Sequence, residues 1–140
     1  MATHITASRL LPEIQASVRD LDNWIGRLDL STKFRAREPG KARLFNRWNA
    51  IELGMIAALV RGGAAPGVAA LFARPLVEDA DRNHQREYFV FAAGDLKQAI
   101  GTNSLDSIDE IAAKYPGKTL SLVPVGAIVR AIDKLFDEAE

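Results

Sequence analysis

The chain has 140 residues, 48% of them apolar and 26% charged, with equal numbers of acidic and basic side chains and no cysteine. That length and balance describe one domain or two very small ones and exclude a largely disordered chain. The lack of cysteine excludes disulfides, cysteine-ligated zinc and thiol chemistry. No basic stretch followed by an apolar one opens the sequence, so no signal peptide is expected. The longest apolar run, residues 55–60, is far too short to cross a bilayer, and the expected location is the cytoplasm, with no membrane partner.

Taken in chain order, Thr6 is placed to cap a short helix carrying Leu10, Leu11 and Ile14, with Pro12 forcing a first-turn position or a break. Ser17 is placed to cap a second helix. In it Val18, Leu21, Trp24 and Ile25 form one apolar face, and Arg19, Asp20, Asp22 and Asn23 lie on the other. Residues 31–45 interleave Phe34, Ala36, Ala42 and Leu44 with basic residues around Glu38-Pro39-Gly40-Lys41, a turn signal that predicts a β-hairpin. Asn46 should cap a long helix carrying Trp48, Ile51, Glu52, Met55, Ile56, Leu59 and Val60, closed by Gly62-Gly63. A short helix with Val68, Leu71 and Phe72 follows Pro66-Gly67 and is expected to end before Pro75.

The polar run from Glu78 to Glu87 predicts a linker over residues 76–87. Beyond it, residues 88–92 and 119–123 read as strands and residues 104–115 and 124–139 as helices. The last helix carries an apolar stripe of Val125, Ile128, Val129, Ile132, Leu135 and Phe136. If exposed, such a stripe calls for a partner surface, which makes it the expected dimer or partner interface. The expected fold class is α+β, with residues 1–75 as one unit and a strand–helix–strand–helix unit over residues 88–140.

The zero net charge conceals a division. Residues 1–47 hold nine Lys/Arg and five Asp/Glu, whereas residues 48–140 hold nine and thirteen. Between Lys33 and Arg47 stand six basic residues (Lys33, Arg35, Arg37, Lys41, Arg43, Arg47) and one acid, Glu38. A helix pair followed by a basic hairpin suits duplex DNA, because a helix fits the major groove and Lys/Arg neutralise phosphates beside it.

Three stretches within residues 5–75 resemble the MerR family of transcriptional regulators. Ser17-Val18-Arg19-Asp20-Leu21 with Trp24 is similar to the family's recognition helix. Gly40-Lys41-Ala42-Arg43-Leu44-Phe45 is similar to its wing. Leu59-Val60-Arg61-Gly62-Gly63 and Val68 to Phe72 resemble its third and fourth helices. The resemblance implies a winged helix-turn-helix and a sequence-specific regulator of bacterial transcription that binds double-stranded DNA; the apolar stripe of the last helix adds the expectation of a homodimer, and no enzymatic activity is expected. It implies DNA contacts from Arg19 and Arg43, with Ser17 and Asn23 at the groove and Lys41 extending the wing. Lys33, Arg35, Arg37 and Arg47 complete the expected DNA-binding set.

Gln15 stands where the family usually has a turn glycine. Asp20 and Asp22 place acid on the recognition helix, so they must meet a cytosine amino group, pair with Arg19, or lie off the interface. MerR-like domains also occur in phage excisionases and packaging small subunits, where the tail recruits a larger protein. A protein-interaction module that has lost DNA is the remaining alternative. Trp24 and Trp48 read as core, His4 and His84 as surface residues outside any metal-ligand spacing, and Glu78, Asp79 and Asp81 as a solvated linker. Gly62-Gly63 with Gly67 lacks the strand and the Gly-Lys-Ser/Thr of a phosphate loop, and no catalytic triad is readable. No cofactor or metal is expected.

Overall fold

The computed structural model describes residues 2–83, 86–92 and 95–139, residues 95–98 by their backbone. Among the described residues the chain is mixed α and β, with six helices and two small antiparallel sheets. His84 and part of the expected linker lie outside the described residues.

Helix α1 (Ala7–Ile14) starts at Thr6, whose hydroxyl bonds Ser8 Oγ at 3.0 Å and does not cap the helix. Pro12 lies inside α1, and the helix stops two residues beyond it. Gln15 then turns the chain in the left-handed conformation, φ 56° and ψ 45°. Helix α2 (Val18–Arg27) opens with a reciprocal cap: Ser17 Oγ accepts from Asp20 N–H, and the Asp20 carboxylate accepts from Ser17 N–H, each at 3.0 Å. That satisfies two backbone donors that would otherwise have no partner in the first turn.

The expected hairpin over residues 31–45 does not form. A tight turn is present, with Lys41 N–H donating to Glu38 O at 3.1 Å and Gly40 at φ 75°. Only Leu44–Phe45 is a strand (β2), and it pairs antiparallel with β1 (Ile5–Thr6) rather than with the segment preceding the turn. Ala36 and Ala42 are exposed and bury too little to hold a ladder. Phe34 packs its ring edge-on against the buried Phe45 at 6.3 Å.

Helix α3 (Arg47–Arg61) is capped by Asn46 and Asn49 in the same reciprocal way. Every residue from Asn49 to Leu59 is buried, so α3 is the central post of the molecule. Gly62 and Gly63 close it, Gly63 at φ 108°. Helix α4 (Pro66–Asp81) does not stop before Pro75 but runs through it. Pro75 is itself exposed, whereas Leu76, Val77 and Ala80 beyond it are buried. An interior proline costs about 3 kcal/mol, and burying a leucine and a valine returns about 1.5–3 kcal/mol each. Residues 76–81 of the expected linker are therefore core helix.

Three strands follow in the spatial order β4-β3-β5, all antiparallel: β3 (Tyr88–Ala92), β4 (Asp95–Thr102) and β5 (Leu120–Val123). Strand β4 was not expected from the sequence. Helix α5 (Asp106–Lys114) links β4 to β5, and α6 (Val125–Glu138) ends the chain.

The apolar stripe of α6 is not an open interface. Val125, Val129, Ile132 and Phe136 are buried, and Ile128 and Leu135 pack half-buried against the same core. They lie on α3 and α1 of their own chain. The closeness of that contact is set at Gly54, where a Cβ would stand 3.0 Å from Ile132, 3.3 Å from Ile128 and 3.4 Å from Ile14. The expected boundary between two units therefore has one apolar core running across it. Phe72 on α4 meets Phe89 on β3 at 5.5 Å, Ser121 Oγ donates to Gly62 O at 2.6 Å, and Ala2 N–H donates to Phe136 O at 3.0 Å. Among the described residues, no helix is long and apolar enough to cross a membrane.

Candidate nucleic-acid interface

Helix α2 is strongly two-sided. Leu21 and Trp24 are buried, so Arg19, Asp22 and Asn23 face outward, beside the exposed cap residue Ser17. The two acids on this helix are both engaged within the protein. Asp20 closes the cap at Ser17. Asp22 Oδ1 accepts from Arg43 Nη1 at 3.2 Å and stands 3.6 Å from Arg37 Nη1. The Asp22–Arg43 contact ties the far arm of the 28–43 loop to the outward face of α2. Arg43 is mostly buried for a charged side chain, and its Nε has no hydrogen-bond partner.

The remaining expected residues separate into two groups. Lys33, Arg35, Arg37 and Lys41 are exposed along the loop. Lys41 pairs with Glu38 at 2.8 Å, an exposed pair worth little. Among the described residues Arg19, Lys33 and Arg35 enter no ion pair. Arg47 falls outside this surface. Its guanidinium forms a two-pronged salt bridge with Asp133 of α6, with Nη2 to Oδ2 at 3.1 Å and a shorter contact from Nε to Oδ1. It also lies over the Trp48 ring at 4.6 Å. These contacts make Arg47 a brace between α3 and α6. Trp24 is buried and Trp48 is half-buried against the core.

Two buried polar residues that the sequence reading had left without a role support the loop. Glu52 and Asn49, one turn apart on α3, are 0% and 1% exposed and bind the segment of residues 31–33 where the basic loop begins. The available signal was a single carboxylate in the apolar run of α3, preceded in the chain by the hydroxyl pair Ser31-Thr32. Farther away, Glu87 and Arg130 form a paired contact at 2.9 and 3.0 Å. The guanidinium hydrogen bonds hold the Glu87 carboxyl below its ordinary range and raise Arg130.

His4 Nδ1 lies 3.0 Å from the Thr3 hydroxyl. Glu78, Asp79 and Asp81 occupy the last turns of α4, and no cluster suited to a metal ion occurs among the described residues. A cavity of about 490 Å³ is bordered by Phe89 of β3, Ile100 of β4 and Pro75 and Leu76 of α4. In comparisons with known proteins, no family model and no curated protein matches the chain.

Proposed function

We propose that this protein binds double-stranded DNA through the surface formed by α2 and the 33–43 loop, as a MerR-like winged helix-turn-helix whose wing is a loop rather than a hairpin, and that it acts as a transcription regulator without enzymatic activity. The reading is carried by the engagement of Asp20 and Asp22 inside the protein. With the first held in the helix cap and the second tethering the loop through Arg43 and Arg37, Arg19 stands at the start of an exposed helix face, and Lys33, Arg35 and Lys41 are exposed along the tethered loop. Helix α2 has ten residues, about 15 Å in length, and a helix of this kind fits the major groove. Phosphate contacts from Lys33, Arg35, Arg37 and Lys41 would set its register.

A homodimer through the α6 stripe is no part of this proposal, since that stripe lies in the core. Light scattering of the free protein and of its DNA complex reports whether two copies assemble by another surface.

The test is fluorescence anisotropy with random and genomic duplexes across a salt series. Five exposed cations predict a log–log salt slope of up to roughly −4.5, and Arg19→Ala/Arg35→Ala should remove about two units of it. Absence of binding at low salt, or binding indifferent to the double substitution, overturns the proposal.

A further inference from the structure

Glu52 is wholly buried, and every partner of its carboxylate lies on two adjacent residues. Its Oε2 accepts from Ser31 N–H at 2.7 Å and Ser31 Oγ at 2.9 Å. Its Oε1 accepts from Thr32 N–H at 3.0 Å and Thr32 Oγ1 at 2.6 Å. Asn49 Nδ2 adds bonds to Thr32 Oγ1 at 3.0 Å and to Lys33 O at 3.2 Å. Among the described residues no cation takes part. A carboxylate buried without a counter-charge is retained against its desolvation, and four donors are what hold it. An apolar residue would fill the same place in α3 but could not fix where residues 31–33 run.

Position in the chain gives this anchor its use. Immediately after it come Lys33, Arg35 and Arg37, and the far end of the same loop is held by the Asp22–Arg43 contact and by the β2–β1 pairing. Between Lys33 and Arg35, Phe34 packs against Phe45 and the core, but Ala36 and Ala42 are exposed, so beyond Phe34 apolar burial does little to hold the arms.

We propose that Glu52, assisted by Asn49, is the positioning residue of the DNA-binding surface: its four-donor anchor on Ser31 and Thr32 sets the path of the near arm of the basic loop, so that Lys33 and Arg35 reach phosphate while α2 occupies the groove. The proposal rests on the DNA-binding reading above.

Two variants test it. Glu52→Gln keeps the shape but turns an amide N–H₂ toward donors. Ser31→Ala/Thr32→Val leaves α3 untouched and removes the hydroxyl donors. Each is assayed by DNA anisotropy across the salt series and by tryptic cleavage within the loop, with thermal melting to establish that the chain is folded. The expected result for Glu52→Gln is cleavage at Lys33, Arg35 and Arg37 several-fold faster than in the parent, affinity down about tenfold, and a salt slope shallower by about two as two phosphate contacts are lost. The hydroxyl variant should shift all three in the same direction by less. Folded variants that keep the parent's cleavage rate and slope overturn the proposal, and if Glu52→Gln does not fold, the hydroxyl variant decides alone. A parent protein that does not bind DNA overturns the interface itself. Cleavage then reports separately whether Glu52 governs the loop.

Discussion

The basic loop and the C-terminal helix are held by different means. Helix α6 is fixed by apolar area: Val125, Val129, Ile132 and Phe136 are buried against the post formed by α3, and its charged contacts, Arg47–Asp133 and Glu87–Arg130, sit at the margin of that contact. The 28–43 loop is seated by Leu28, Leu30 and Phe34, which pack half-buried on the core, and its basic arms are further held by directed polar contacts, from Glu52 and Asn49 at one end and Asp22 at the other. Apolar packing is tolerant of small shifts and strong in sum, whereas a few hydrogen bonds are weaker but specify one geometry. A surface that presents cations to DNA, as proposed for this loop, cannot bury them, so directed polar contacts suit that role.

The largest expected effect tests whether the two regions share a core. Phe136→Ala should lower stability by about 3–5 kcal/mol, and calorimetry should show one transition moved down as a whole. A second transition left at the parent temperature would mean that the N-terminal helices fold apart from α6.

Gln15 holds a left-handed conformation in the turn between α1 and α2. Gln15→Gly should therefore stabilise the chain by about 0.5–1 kcal/mol, and a lower melting temperature would contradict the turn geometry. A smaller effect concerns pH. The Glu87 carboxyl is held below its ordinary range by Arg130, so the folded state binds its proton less readily than the unfolded one. Its contribution is present above the unfolded carboxylate range and is lost as pH falls through the folded value. Glu87→Gln should flatten the stability profile on the acid side and leave its shape unchanged near neutrality. A parallel acid limb in both proteins would show that the pair does not matter in solution. The smallest effect is expected for Gly126→Ala. A Cβ there would lie 2.2 Å from Glu87 Oε2, which has to leave its place beside Arg130. That carboxylate is the far end of a partly exposed, flexible side chain and can swing aside, and alanine is the better helix former, so denaturant titration should show little net change. A marked loss would show that Glu87 cannot leave Arg130 without cost.

Much of the N-terminal half was legible because its signals are local. Ser17 and Asn46 mark helix starts through their own side chains, and Gly62-Gly63 marks a stop through backbone freedom. The class, mixed α and β, also followed from periodicity. Strand β4 escaped, since Lys97, Gln98, Gly101 and their neighbours carry little strand preference and the ladder to β3 is what makes them a strand. The hairpin was over-read, because alternation of small apolar and basic residues does not ensure enough buried area to pair. Of the candidate site, the exposed cations were readable from charge density, but nothing local distinguished Arg47, which braces α6, from Arg35, which faces solvent.

By itself the sequence determined where α2 and α3 begin, where α3 ends, that positive charge gathers between residues 33 and 43, and that α6 has an apolar face. These follow from interactions spanning a few residues. Only the tertiary structure decided what that face meets, that α4 continues past Pro75, and that Asp22, Asn49 and Glu52 anchor the basic loop. Each of these depends on groups far apart in the chain, and a buried carboxylate such as Glu52 has its meaning only once Ser31 and Thr32, twenty or so residues away, are brought to it.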